Sequence, residues 1–127
     1  MTGYAIAAVG IGAALGAWSR WTLGMLLNPV FPSLPLGTLA ANVVGGYLVG
    51  VAVEYLGRYA GLPAEIQLFV ITGFLGGLTT FSTYSAEAVA LLSRGQLSLF
   101  LLHLGGHLGG SLVMTVLGIY TVRALQA

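Results

Sequence analysis

Four long stretches without a charged residue constrain the fold of this chain more than any other feature, and they cover residues 1–19, 21–53, 66–86 and 95–122. Each stretch is near or above the roughly 20 residues that a helix needs to cross a bilayer. Hydrophobic residues make up 57% of the chain and charged residues 6%, which is too few charges to cover a soluble surface. The sequence therefore predicts an all-α membrane protein.

Prolines divide the second of these stretches, because Pro29, Pro32 and Pro35 lie within it. The residue before a proline is disfavoured in an α-helix, so these prolines predict the end of one helix, a turn and the start of the next. We therefore predict one domain, residues 1–127, with four transmembrane helices. Their expected spans are residues 3–27, 37–57, 66–92 and 97–122.

The arginines favour neither orientation across the membrane. With four spans, Arg58 and Arg123 lie on one side, and Arg20 and Arg94 lie towards the other. Cytoplasmic loops normally carry an excess of basic residues, and this chain has no such excess on either side. We therefore expect insertion in both orientations, although four arginines are few for this rule. A net charge of +1 without a basic cluster gives no indication of nucleic-acid binding.

A polar segment interrupts the third span. Residues 73–87 read GFLGGLTTFSTYSAE, in which a glycine pair precedes closely spaced hydroxyl side chains. Irregular backbone occurs at membrane depth only where protein or a water-filled cavity satisfies the freed polar groups. We predict a break at Gly76 and Gly77, which would expose carbonyl oxygens that can coordinate a cation. This segment is expected to be the functional centre of the protein.

Glycine pairs at four-residue spacing recur along the predicted helices. Small residues at this spacing let helices approach closely in lipid, so most of these glycines are expected to be packing positions. The pairs are Gly12 and Gly16, Gly46 and Gly50, Gly73 and Gly77, Gly105 and Gly109, and Gly106 and Gly110.

Polar residues on two helices also recur every four positions. On the second helix, Thr38 and Asn42 share the face of the glycine seam. The stripe on the fourth helix consists of His103, His107, Ser111 and Thr115. From spacing alone, such stripes fit interhelical hydrogen bonding and an ion pathway equally well. The two histidines could also ligate a metal, but the sequence places no carboxylate or third histidine beside them, so no metal site is predicted there.

Among the charged residues, Glu87 allows two interpretations. An ionisable group inside a membrane helix is a functional candidate by default, and Glu87 occupies such a position. Alternatively, Glu87 pairs with Arg94 or Arg20 near the interface. Arg20 is expected to reach the lipid headgroups beside Trp18 and Trp21. No nucleophile paired with a base and no phosphate loop is evident, so an enzyme is not expected.

The polar groups together suit a small anion. They are hydroxyl, amide and imidazole donors with few charges, next to Phe81 and Tyr84, which lie three residues apart. Aromatic rings are positive at their edges, so they can approach an anion that weak donors partly dehydrate. The residues alone therefore indicate a pathway for a small ion or solute.

Four segments carry a family resemblance. They are GAALGAWSRW at residues 12–21, GTLAANVVGGYLVG at 37–50, GGLTTFSTYSAE at 76–87 and GGSLVMTVLG at 109–118. In this order they resemble the Fluc (CrcB) family of fluoride channels, and the resemblance covers essentially the whole chain. It implies an antiparallel, dual-topology homodimer in the bacterial inner membrane. Two pores per dimer would let fluoride leave the cytoplasm passively and so lower its toxicity.

The same resemblance implies roles for individual residues. Phe81 and Tyr84 would form an aromatic box against which fluoride moves, and Asn42 would be the amide donor that faces it. The polar tracks would consist of Ser82, Thr83, Ser111 and Thr115.

The resemblance also implies a structural sodium ion at the dimer axis. Gly76 and Thr79 would provide backbone carbonyls to this ion. Accessory positions in the family would be Arg20, Thr38, Glu87 and His107.

Tyr84 departs from the family pattern, in which phenylalanine is typical at this position. Its hydroxyl would either donate to fluoride and slow its exit, or point into solvent at the pore mouth. We expect conduction with an altered rate.

Two other classes remain as alternatives. A small multidrug-type transporter also has four short helices, but it exchanges protons for organic cations at a carboxylate in its first helix, and the first helix here has none. A structural membrane subunit would use its glycines only for packing, and it would gain nothing from a break within a helix.

Overall fold

The computed structural model describes residues 2–126, which are almost entirely helical and contain no strand. The elements in chain order are α1 (Gly3–Leu27), a 3₁₀ turn (Asn28–Val30), α2 (Leu36–Gly57), α3 (Ala64–Gln67), a π-helix (Leu68–Leu75), α4 (Gly76–Leu78), α5 (Ser82–Ser93) and α6 (Leu97–Leu125). The prediction of an all-α protein is confirmed over this described range.

Within residues 2–126, three helical segments are long and apolar enough to cross a membrane: α2, the segment Ala64–Ser93 and α6. Helix α1 has 25 residues but is not among them, because Arg20 and several glycines lower its hydropathy. Of the four predicted spans, three are therefore supported by length and composition. Large apolar side chains are exposed along the outer surface, and Leu101 and Leu102 are each more than half exposed. Exposed apolar surface of this extent fits a lipid-facing exterior.

Local hydrogen bonds fix where α1 ends and α2 begins. Asn28 follows the last residue of α1, and its side-chain Oδ1 accepts a hydrogen bond from the Gly37 amide at 2.7 Å. The prolines lie between these two helices, with Pro29 in the 3₁₀ turn and Pro35 at the N-cap of α2. The predicted turn between the first two helices is thus present, and an asparagine side chain closes it.

The ends of α2 and α6 meet at one end of the bundle. Glu54 Oε1 accepts hydrogen bonds from Arg58 at 3.1 Å and from Arg123 at 3.0 Å. Arg58 and Arg123 were expected on the same side, and their shared carboxylate places them there. The opposite connection, between α5 and α6, turns at Gly95, whose φ of 72° lies in the left-handed region that favours glycine.

Glycines set the closest helix contacts within the chain. An added Cβ at Gly12, Gly16 or Gly77 would collide with backbone atoms where α1 meets the π-helix and α4. An added Cβ at Gly46 or Gly50 would collide with the backbone of α6. Such contacts let small residues bring helices together in lipid. The packing prediction is confirmed for these glycines, whereas Gly105 and Gly109 have no neighbour among the described residues within 4 Å of an added Cβ.

The third helical segment is irregular over much of its length. It begins as α3, widens into the π-helix, returns to one α-helical turn in α4, and is interrupted at residues 79–81 before α5. π-Helical segments are rare and often lie at functional sites. The break was predicted at Gly76 and Gly77, and this position was wrong. Both glycines are helical, Gly77 packs closely against Ala13 of α1, and the interruption follows them.

Candidate ion-binding site

The side chain of Asn42 stabilises the helix break. Its Nδ2 donates to the Thr80 carbonyl at 2.9 Å, and its Oδ1 accepts from the Thr80 amide at 2.8 Å. Together these bonds satisfy both backbone groups of a residue that has no helical partners. At membrane depth an unsatisfied backbone group is costly, so this asparagine on α2 supports the irregular backbone.

Hydroxyl groups hold the two sides of the break. Thr79 Oγ1 donates to the Leu75 carbonyl at 2.8 Å, and the Thr83 amide donates to Thr80 Oγ1 at 3.1 Å. The amides of Thr80 and Thr83 are therefore bonded to side chains instead of continuing the α-helical ladder. The carbonyls of Gly76 and Thr79, four residues earlier, consequently lack the amide partners that a continuous helix would supply.

Arg20 reaches the break from α1. Its Nε donates to the Gly77 carbonyl at 3.1 Å, and the side chain is partly buried. We expected Arg20 to extend to the lipid headgroups with Trp18 and Trp21, and this expectation was wrong for the arginine. The two tryptophans are 60% and 65% exposed, whereas the close contact of α1 with α4 brings a polar carbonyl within reach of Arg20.

Glu87 and two histidines form a buried polar cluster. Thr38 Oγ1 donates to Glu87 Oε2 at 2.7 Å, and His103 Nε2 lies 3.5 Å from Glu87 Oε1. His103 and His107 are 2% and 3% exposed. An arginine partner was one of the two interpretations of Glu87, and no carboxylate was expected beside the histidines. Within residues 2–126 Glu87 has no arginine partner, and its carboxylate lies beside His103. Glu87 lies on the face of α5 that packs against α2 and α6, so its partners come from those helices.

His107 is held between an amide and an aromatic ring. Its Nδ1 lies 2.8 Å from Asn42 Nδ2, and its ring stacks on Tyr84 with centroids 4.3 Å apart. Asn42 Nδ2 can only donate, so His107 Nδ1 accepts. His107 therefore links the asparagine at the break to the aromatic residues of α5.

Phe81 and Tyr84 are packed edge to face. Their ring centroids lie 5.6 Å apart at an interplanar angle of 75°. Phe81 is 78% exposed, and the Tyr84 hydroxyl points towards the Leu104 carbonyl at 3.5 Å. The tyrosine hydroxyl is thus directed at the backbone of α6, an arrangement that neither of the two expected orientations included.

The hydroxyls of α6 are bonded to the backbone of α2. Ser111 Oγ donates to the Asn42 carbonyl at 3.3 Å, and Thr115 Oγ1 lies 2.8 Å from the Gly46 carbonyl and 2.9 Å from the Ser111 carbonyl. A hydroxyl has one proton to donate. In this arrangement Ser111 and Thr115 make hydrogen bonds between α6 and α2. Interhelical bonding was one of the two interpretations that their spacing allowed, the other being an ion pathway.

A groove of about 710 Å³ runs beside the break between α2, α5 and α6. Many of the candidate residues line it, namely Asn42, Thr79, Phe81, Tyr84, His107, Ser111 and Thr115. Thr80 and Ser85 also line it and were not singled out, although both belong to the hydroxyl-rich segment that the sequence marked. The remaining candidates lie outside its lining: Arg20, Thr38, Gly76, Ser82, Thr83 and Glu87.

The fold and the groove define a class: a small, multi-pass helical membrane protein with a groove of apolar and neutral polar side chains at a broken helix. Residues 7–119 match the family model described as CrcB-like protein, Camphor Resistance (CrcB). The chain belongs to this family.

Similar proteins from three bacteria cover nearly the whole chain, and each is named fluoride-specific ion channel FluC. The chain is 64% identical over 122 residues to the protein from Nitrosospira multiformis, covering 96% of this chain and 95% of the relative. It is 62% identical over 126 residues to the protein from Ralstonia pickettii, covering 99% of this chain and 100% of the relative. It is 54% identical over 122 residues to the protein from Thiobacillus denitrificans, covering 96% of this chain and 98% of the relative. These names describe an ion channel and not an enzyme.

Proposed function

We propose that the chain forms a fluoride-selective channel that lets fluoride leave the cytoplasm passively across the bacterial inner membrane. The observation that carries this proposal is 64% identity, over almost the full length of both chains, to a relative named as a fluoride-specific ion channel. The groove beside the helix break supports the assignment, because amide, hydroxyl and aromatic groups line it among apolar side chains, and no charged side chain of residues 2–126 does.

Neutral donors suit a small anion that must also be released. A pore has to replace the hydration of the ion, but binding that is too strong would stop conduction. Asn42, the edges of Phe81 and Tyr84, and the hydroxyls of the polar tracks provide weak donors of this kind. Ser82 is exposed and Thr83 half-buried beside the break. For Ser111 and Thr115 to take part, their hydroxyls would have to turn from the α2 carbonyls towards the ion.

The residues expected to hold a structural sodium ion fit this role. The carbonyls of Gly76 and Thr79 lack helical amide partners, because the amides of Thr80 and Thr83 are bonded to side chains. Neutral carbonyl oxygens are suitable ligands for a hard monovalent cation. When bound, the ion would supply a fixed positive charge in a low-dielectric region.

An antiparallel dual-topology homodimer with two pores is the proposed assembly, with α1 as the fourth span. Gly76 is exposed, so its carbonyl is on a surface where a second copy could share the sodium ion. Gly105 and Gly109 form a bare stripe on α6 that no part of the described chain covers. The balanced arginines are consistent with insertion in both orientations.

A proton-coupled multidrug transporter is not favoured. That class needs a carboxylate in its first helix, and α1 contains none. The named relatives are channels.

Fluoride efflux from proteoliposomes tests the proposed function. Vesicles loaded with potassium fluoride should release fluoride when valinomycin carries potassium out, without any proton gradient. Protein-free vesicles and vesicles loaded with potassium chloride provide the controls. A lack of fluoride release, combined with proton-driven uptake of a cationic dye, would contradict the channel and support the transporter.

A further inference from the structure

Three polar atoms in the Glu87 cluster are buried and have no hydrogen-bond partner. They are Glu87 Oε1, His103 Nδ1 and His107 Nε2. One ligand atom from each residue lies within 4.8 Å of those of the other two. Three buried polar atoms on neighbouring residues that no protein group satisfies are available to bind one cation together.

The other polar atoms of Glu87 and His103 are held in place. Thr38 donates to Glu87 Oε2 at 2.7 Å, and His103 Nε2 lies 3.3 Å from the Tyr84 carbonyl, which can only accept. Metal-binding side chains are typically oriented in this way by bonds to the atoms that do not touch the metal.

The donor set selects a class of cation. Two imidazoles and one carboxylate match borderline divalent ions such as Zn²⁺, Co²⁺ and Ni²⁺, whereas sodium and magnesium prefer oxygen ligands alone. The i, i+4 spacing of the histidines places both on one face of α6, opposite the carboxylate from α5. We propose that Glu87, His103 and His107 form a binding site for a Zn²⁺-class divalent cation, distinct from the carbonyls of Gly76 and Thr79.

Occupation of this site would remove one of the hydrogen bonds that Asn42 makes. The two bonds to Thr80 fix the orientation of the Asn42 amide, so His107 Nδ1 must accept and His107 Nε2 carries the proton. A metal at Nε2 displaces that proton, and a neutral imidazole then protonates at Nδ1, where it meets the N–H of Asn42. The metal and the Asn42–His107 hydrogen bond are therefore mutually exclusive. This step rests on the proposed function: bound metal should slow fluoride conduction by removing the Asn42–His107 hydrogen bond at the wall of the groove.

Cobalt titration tests the site without reference to transport. Purified protein in detergent, titrated with Co²⁺, should develop the visible absorption of a low-symmetry cobalt site at one equivalent per chain, and Zn²⁺ should abolish it. The variants His103→Gln and Glu87→Gln, on different helices, should each weaken binding by at least the roughly 10- to 100-fold typical of losing an outer-shell partner. Glu54→Gln is the matched control, because that carboxylate lies at the far end of α2 and pairs with arginines.

These binding and efflux measurements are compared only for variants that elute as a single species on size-exclusion chromatography. Absence of cobalt absorption in the wild-type protein, or equal binding in His103→Gln and Glu87→Gln, would overturn the site. In proteoliposomes, Zn²⁺ should slow fluoride efflux by the wild type and have less effect on His103→Gln. Equal inhibition of the two would overturn the coupling to Asn42. If the wild type conducts no fluoride at all, the proposed function fails while the cobalt titration still decides the site.

Discussion

Asn42 of α2 and Thr80 in the helix break are joined by two hydrogen bonds, one to each polar backbone group of Thr80. The same amide donates to His107 of α6. One side chain thus connects three segments of the bundle at the wall of the groove, and its substitution is the most informative test of the site.

Replacing Asn42 should impair both stability and conduction. In Asn42→Ala the two backbone groups of Thr80 lose their partners, at a cost of about 1–3 kcal/mol for each buried group left unsatisfied. The thermal unfolding temperature in detergent should fall, and fluoride efflux should slow. Asn28→Ala is the matched control, because Asn28 also bonds to a backbone amide but lies in the α1–α2 turn away from the groove. Equal efflux from the two variants would contradict a role for Asn42 in conduction.

Asn42→Asp keeps the acceptor oxygen of residue 42 and removes its donor group. A carboxylate still accepts from the Thr80 amide, but it cannot donate to the Thr80 carbonyl or to His107. We expect a folded protein with slower fluoride efflux, since a negative charge beside the groove repels an anion. Efflux as fast as that of the wild type would show that the donor groups of Asn42 are dispensable.

Tyr84→Phe should leave the protein stable and change efflux only slightly. The Tyr84 hydroxyl makes one long contact of 3.5 Å with the Leu104 carbonyl, while the ring stacks on His107. Phenylalanine preserves the stacking and removes only that weak bond. Tyr84→Ala removes the ring and should slow efflux strongly. Efflux rates of the two variants in the same vesicles check this, and a marked change in Tyr84→Phe would indicate that the hydroxyl interacts with the ion.

The general features of this fold follow from the sequence because they depend on local chemistry. Prolines between apolar runs predict the α1–α2 turn, and hydroxyls after a glycine pair predict irregular backbone in the third segment. The partners of Arg20 and Glu87 could not be predicted in this way. They depend on how each helix is rotated about its axis, and the π-helix and the break change that rotation for α5 relative to the residues before it.

The exact position of the break could not be predicted from the sequence, for a related reason. Glycine pairs favour both irregular backbone and close helix packing, and the sequence does not distinguish the two uses. In the structure Gly77 is helical and serves close packing against α1. The interruption then falls on threonines, where Asn42 can supply the missing hydrogen bonds.

Alanine substitution of two glycines in α1 should have opposite effects on stability. An added Cβ at Gly16 would collide with backbone atoms of Phe74 and Leu78, whereas one at Gly10 meets nothing within 4 Å. Gly16→Ala should therefore destabilise the protein by roughly the 1–3 kcal/mol of an overpacked contact. Gly10→Ala should be neutral or slightly stabilising, because alanine favours the helix by up to about 1 kcal/mol. Thermal unfolding of both variants in detergent provides the comparison.

Removing sodium should lower the stability of the assembled protein. A ligand that binds only the folded state adds stability that depends on its concentration, so the unfolding temperature should rise with added sodium chloride. N-methylglucamine chloride at equal ionic strength controls for screening. An identical unfolding temperature in both salts would argue against a sodium site at Gly76 and Thr79.

Bulky residues on the bare stripe of α6 should prevent dimer formation while sparing the fold of one chain. Gly109 has no neighbour within 4 Å of an added Cβ, so Gly109→Leu introduces no clash inside the chain. If a second copy packs there, the leucine would hold the helices apart, because close approach requires small residues. We expect a monomer-sized species on size-exclusion chromatography and loss of fluoride efflux. Leu108→Ile, at a neighbouring exposed position, is the control and should remain dimeric. A dimeric and conducting Gly109→Leu would place the interface on another face of the bundle.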